Sequence, residues 1–240
     1  MKSNKVAAIN NNNKHTRLFV SGALFLSLLF AGWSATWGFS EVLTLNPRYL
    51  MSSWEKDGKI NDEKNWQTAL ESLELANSIN SSNPEIIFDM ARLFEWRALQ
   101  KPIWTEHAHQ HRSEAIKKYR QTVENRPTWA LAWASLAQNK FLNQEMDQEM
   151  WEALRNASTY GPWEAAVQRK LIWLGIATWK YIPSDLRDTI QTVIIASLRN
   201  RNLLDFILST AVRYRWEENL LPYIDEYQTQ RLQWFVRNRG

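Results

Sequence analysis

Three of the four histidines in the chain fall within seven residues, His107, His109 and His111 in EHAHQHR. On a helix His107 and His111 share a face at i, i+4, a spacing at which two imidazoles bind zinc or copper, with Glu106 or Glu114 in reach as a third ligand. That chemistry would be metal-assisted hydrolysis, and the enzyme so defined would be metal-dependent or polysaccharide-processing. The wider sequence gives it little support. There is no HExxH, and with no cysteine in the chain neither a thiolate metal site nor a cysteine nucleophile exists. An exposed polar loop accounts for the composition of EHAHQHR equally well. No GxSxG and no glycine-rich phosphate loop occurs, and the acid pairs Asp62-Glu63 and Glu217-Glu218 sit at adjacent positions, which diverge on a helix. The expectation is a binding protein without catalytic residues or cofactor.

Aromatic rings are the second chemical resource. The chain has 14 tryptophans, spread from Trp33 to Trp234, and a saccharide can lie flat on such a ring. Trp66 and Trp133 fall on apolar helix faces and read as core; Trp96, Trp104 and Trp129 are less clearly so. A polysaccharide therefore stays a candidate ligand beside a protein partner. Nucleic acid does not. Four of the 29 basic residues and none of the 25 acidic ones lie in residues 1–17, so the rest of the chain is neutral and lacks the overall basic excess that phosphate binding uses.

The elements that would position these groups are helical. Glycine and proline number only 7 each in 240 residues, too few for a turn-rich β fold. Residues 1–17 read as a disordered cytoplasmic tail. Leu18 to Phe39 is an uncharged stretch of 22 residues, long enough to cross a hydrocarbon core of about 30 Å, with Trp33 and Trp37 placed as interfacial anchors. A buried core helix and a cleaved signal peptide are the alternatives; for the second, no A-x-A site follows and Ser34 after Gly32 is a weak candidate. Basic residues ahead of the span place the N-terminus in the cytoplasm and the body across an inner membrane, in the periplasm of a Gram-negative cell.

Residues 40–61, with Asn46-Pro47 and Lys56-Asp57-Gly58-Lys59, read as a connector with turns. A helix capped by Asp62 follows, then another opened by Pro84. Within Ser113 to Leu142, Ala115, Ile116 and Tyr119 recur at helical spacing, Pro127 interrupts, and Trp133, Leu136 and Ala137 begin a new face. Beyond Pro162, Trp163 to Tyr181, Ser184 to Leu198, Asn202 to Tyr214 and Pro222 to Arg237 each carry an apolar face, making residues 163–240 a C-terminal helical region.

These spacings resemble the tetratricopeptide repeat (TPR), a helix pair of about 34 residues. Ile87, Met90, Ala91 and Phe94 match its first helix, Ala115, Tyr119 and Pro127 its second. Trp133, Leu136 and Ala137 match again, with Lys140 where an aromatic is expected, followed by Met150, Leu154, Ala157 and Pro162. The resemblance covers residues 62–162. It departs between Phe94 and Ala115, which are 21 apart against about nine in the repeat, so about 12 residues carrying the histidines are inserted. It implies an all-α TPR-like helical-hairpin solenoid with a C-terminal helical cap. The groove would be lined by Phe88, Arg92, Glu95 and Trp96, then Gln138 and Phe141. The order of basic tail, single span, WQTALESLELANSINSSNPEIIFDMARLFEWRA and RPTWALAWASLAQ is also similar to VpsP-type proteins of bacterial exopolysaccharide biosynthesis. That likeness implies a membrane-anchored scaffold, accessory to making or exporting a polysaccharide, with protein partners in the envelope machinery and the bilayer held through residues 18–39.

Overall fold

A computed structural model of the chain describes residues 19–238, and the expected tail over 1–17 lies outside them. Among the described residues the protein is all-helical, without strands. The first helix, α1 (Lys2–Asp57), described from Phe19 on, is long and apolar enough to cross a membrane, and no side chain from Phe19 to Phe39 is buried.

The connector expected over 40–61 is instead mostly helix: α1 continues through Pro47 to Asp57 before the chain turns at Gly58, whose φ of +68° suits glycine. Proline removes a helical hydrogen bond, so tertiary contacts must hold these turns. Ser40, Thr44, Met51 and Trp54 are buried along one side. Arg48 bonds Asp89 at 2.5 Å, and Glu41 accepts from Asn83 at 2.8 Å. Residues that break helices in isolation are overridden here by burial.

The body follows as helices joined by short turns. α2 (Glu63–Ile79) is capped by Asp62, whose side chain accepts from the Lys64 amide at 2.9 Å. α3 (Pro84–Leu99) opens on proline under an Asn83 cap, and α4 (Glu106–Asn125) under Thr105. Then come α5 (Ala130–Leu142), α6 (Gln148–Tyr160), α7 (Ala165–Ala177), α8 (Ser184–Ser197) and α9 (Arg201–Tyr214). Two short 3-10 turns lead to α10 (Glu226–Arg237), which starts with a reciprocal Asp225–Gln228 capping box.

α3 packs on α4, α5 on α6, α7 on α8 and α9 on α10, while α5, α7 and α9 also touch in sequence. The main core runs from α3 to α10, and a second one joins Met51 and Trp54 of α1 to Trp66, Leu73, Met90 and Leu93. Phe94 packs against both.

The α7–α8 approach depends on a missing side chain. A Cβ on Gly175 would lie 2.2 Å from Cγ2 of Ile190, a fully buried residue with little room to move. Gly175→Ala is expected to destabilise by about 1–3 kcal/mol despite the better helix propensity of alanine. Circular dichroism melting checks this; the double variant Gly175→Ala/Ile190→Leu, which removes the Cγ2 methyl, should recover part of the loss.

Candidate functional site

The inserted residues between Phe94 and Ala115 form little loop. Only residues 100–105 are outside helices, and the rest lengthen α4 at its start. Arg112, 3% exposed, anchors this extension by donating to the carbonyls of Ile103 at 3.0 Å and Leu142 at 3.2 Å.

His107 and His111 do meet, ring centroids 4.5 Å apart, and His111 stacks at 6.2 Å on Phe94 and edge-on at 5.8 Å to Trp66. Burial, then the neighbouring His107 and Arg97, hold the His111 pKa below its ordinary value, so the neutral ring is favoured. His109 is exposed on another side of the helix, within 3.4 Å of Ser113 Oγ. The trio therefore does not converge, and among the described residues no group of three or more His, Cys, Asp or Glu is placed to hold a metal.

The groove residues named from the repeat pattern lie elsewhere. Phe88, Arg92, Glu95 and Trp96 recur on α3 at helical spacing and line a cavity of about 390 Å3 with Ser135 and Lys170. Phe88 is only 7% exposed and forms its floor, its ring 5.5 Å from Tyr119. Tyr119 donates its hydroxyl to Glu95 at 2.5 Å, and burial first, then the Glu95 charge, push its pKa well above the ordinary value. Glu95 is thereby fixed in place, and Gln138 donates to its other oxygen at 3.4 Å. Trp96 leans edge-on against Trp54 at 6.3 Å, which ties this end of the groove to α1.

A second cavity of about 460 Å3 adjoins the first and shares Leu99 and Lys170 with it. Gln138 lines it and bonds Lys170. Phe141 stands behind the wall, edge-on to Trp173 at 5.3 Å, and Trp173 is fixed further by donating its indole N–H to Tyr214 at 3.1 Å. Trp173, Phe206 and Leu142 supply apolar surface, and Arg169, Lys170 and Arg213 supply cations. The Arg169 guanidinium lies 5.3 Å from the Phe206 ring centroid. No carboxylate lines this cavity.

Arg169, Lys170, Trp173, Phe206 and Arg213 were not named from sequence, because the repeat match ends at Pro162. The signal was there in the spacing. α5, α7 and α9 begin at residues 130, 165 and 201, steps of 35 and 36. Moving Ser135 and Gln138 on by 35 gives Lys170 and Trp173, and 36 more gives Phe206 and Ser209, all four of them lining residues.

Compared with protein-family models, curated proteins and solved structures, the chain matches none. What fold and site define is a class: an all-helical protein with one apolar N-terminal helix able to span a membrane and a two-part groove along its odd-numbered helices.

Proposed function

We propose that the protein is a membrane-tethered TPR-like scaffold whose groove captures an acidic segment of a partner protein. One observation carries this: the cavity along α5, α7 and α9 gathers three cations and no acid, although beyond residue 17 the chain has as many acids as bases. Local charge of one sign over an apolar floor suits a ligand with carboxylates around an apolar side chain. The 35- and 36-residue helix spacing supports the solenoid, with α10, packed on α9, closing an end that would otherwise expose apolar surface. The basic residues before α1's apolar stretch favour a cytoplasmic N-terminus and a body on the far side of an inner membrane. Tethering then raises the partner's local concentration at the bilayer. The resemblance of the sequence layout to VpsP-type proteins supports exopolysaccharide production or export as the process.

Photo-crosslinking from position 173 in native membranes tests the capture. The double variant Arg169→Glu/Arg213→Glu, at two exposed positions, is expected to lower the yield of the protein adduct about tenfold, the weight of ~1.4 kcal/mol of binding, with melting unchanged. The wild-type yield should fall as salt rises. Undiminished adduct in the charge-reversed variant would refute the reading.

A further inference from the structure

Helix α1 has two apolar faces beyond its membrane-crossing stretch, and the body covers only one. Ser40, Thr44, Met51 and Trp54 are buried on that side. At 3.6 residues per turn, Val42, Leu45 and Tyr49 point the opposite way, and they are 59%, 61% and 73% exposed. Bilayer hydrocarbon does not reach Tyr49 at the far end of this face. Arg48, the residue before Tyr49, is paired with Asp89 of α3 at 2.5 Å and lies 3.8 Å from Glu85, so charged groups stand at the same level of the helix. Tyr49 is also ten residues, ~15 Å, past Phe39. An amphipathic surface helix keeps one face polar; one that is apolar on both sides belongs between two protein surfaces.

The way this seam runs identifies what covers it. Going back from Tyr49 through Leu45 and Val42, the spacing continues unbroken to Gly38, Ala35, Ala31 and Leu28, in alternating steps of four and three. That is the heptad spacing of a left-handed coiled coil. A covering partner must follow the seam in water and then inside the membrane, so it is itself a spanning helix that emerges on the same side. This chain supplies such a helix. Ala31, Ala35 and Gly38 let two backbones approach closely in the bilayer, and a Cβ on Gly38 would meet nothing within 4 Å. The seam carries no charge from Leu28 to Tyr49. In a parallel pair Glu41 and Arg48, on its flank, would face Asn46 and Ser53 of the other copy, so no like charges oppose.

We propose that a second copy of this chain packs on the face formed by Leu28, Ala31, Ala35, Val42, Leu45 and Tyr49, as a parallel, in-register homodimer with its two-fold axis along the membrane normal. The bodies then sit on the outside of the helix pair, with two grooves per dimer. This inference stands independently of what the groove binds.

The absence of cysteine from the sequence gives a clean test in the full-length protein in native membranes. Single cysteines replace Val42, Leu45, Tyr49 and, as an exposed control on the other side of α1, Glu55; mild oxidation follows. In-register seam positions approach to within the roughly 4.4–6.8 Å Cα separation a disulfide needs. Expected are species of twice the 28.3 kDa chain mass for Val42→Cys, Leu45→Cys and Tyr49→Cys, several-fold above Glu55→Cys. All four positions are exposed, so folding of the body is not at stake. No doubled species, equal yield at the control, or an adduct of any other mass overturns the proposal.

Discussion

Replacing Lys140 by methionine is expected to cost about 2–3 kcal/mol at pH 7 and to lower Tm by about 4–12 °C, although the new side chain is apolar and of similar length. Lys140 is 2% exposed at its side chain and lies where the repeat pattern expects an aromatic. It holds three carboxylates, Glu149 at 2.7 Å, Asp147 at 2.9 Å and Glu145 at 3.1 Å, which brings the α5–α6 turn onto the end of α5. Arg120 of α4 grips Glu149 from the other side with bonds of 2.6 and 2.9 Å. Removing the cation leaves three acids facing one another around an apolar group. Because those acids keep 33–53% of their side-chain exposure, water relieves part of the repulsion, and the cost stays below that of a fully buried broken pair.

The same cluster sets an acid limit. The Arg120 guanidinium, and after it Lys140, hold the Glu149 carboxyl at about 2 against the usual 4.5, with burial opposing. A depressed carboxylate pKa contributes stability that is full above the unfolded value and is lost as pH falls through the folded one. Wild type should therefore lose this contribution between about pH 4.5 and about 2. The gap between wild type and Lys140→Met should narrow in the same window. Paired thermal melts from pH 7 to 2.5 check it; a gap that stays constant would show that the lysine acts through packing alone.

Lys140 also shows where the sequence stopped being readable. Periodicity placed the helices well, because each apolar face must be buried and caps such as Asp62, Asn83 and Asp147 mark their starts. A charged residue at a core position could be seen as a departure, but its three partners lie five to nine residues later, in the α5–α6 turn and the start of α6, whose geometry no spacing rule gives. Pro47 misled more strongly. Asn46-Pro47 and the charged run after it have turn composition, yet Met51 and Trp54 gain enough burial against α2 and α3 to keep the helix going. Phe88, Arg92, Glu95 and Trp96, which line the first cavity, and Gln138, which lines the second, were legible in the repeat pattern. The cations of the second cavity were not, because the repeat pattern is carried by residue types that α7 and α9 lack, while the helix spacing persists.

That continued helix makes Trp54→Ala the other large effect, about 3–5 kcal/mol as for other buried tryptophans. Trp54 is 1% exposed, edge-on to Trp96 and packed with Met51, Trp66 and Leu93 in the smaller core. This small cluster joins the apolar helix to the body, and the indole is its largest α1 side chain. Without it, the turns after Pro47 keep the Arg48–Asp89 pair but lose most of the apolar burial that offsets the proline. Two readouts separate local detachment from global unfolding. Amide exchange over residues 48–57 should quicken by several orders of magnitude, whereas α7 to α9, in the other core, should keep the exchange of wild type. If exchange rises equally everywhere, the two cores unfold as one unit. If only 48–57 responds, α1 is a separable arm, and Trp54 sets how firmly that arm is held to the body.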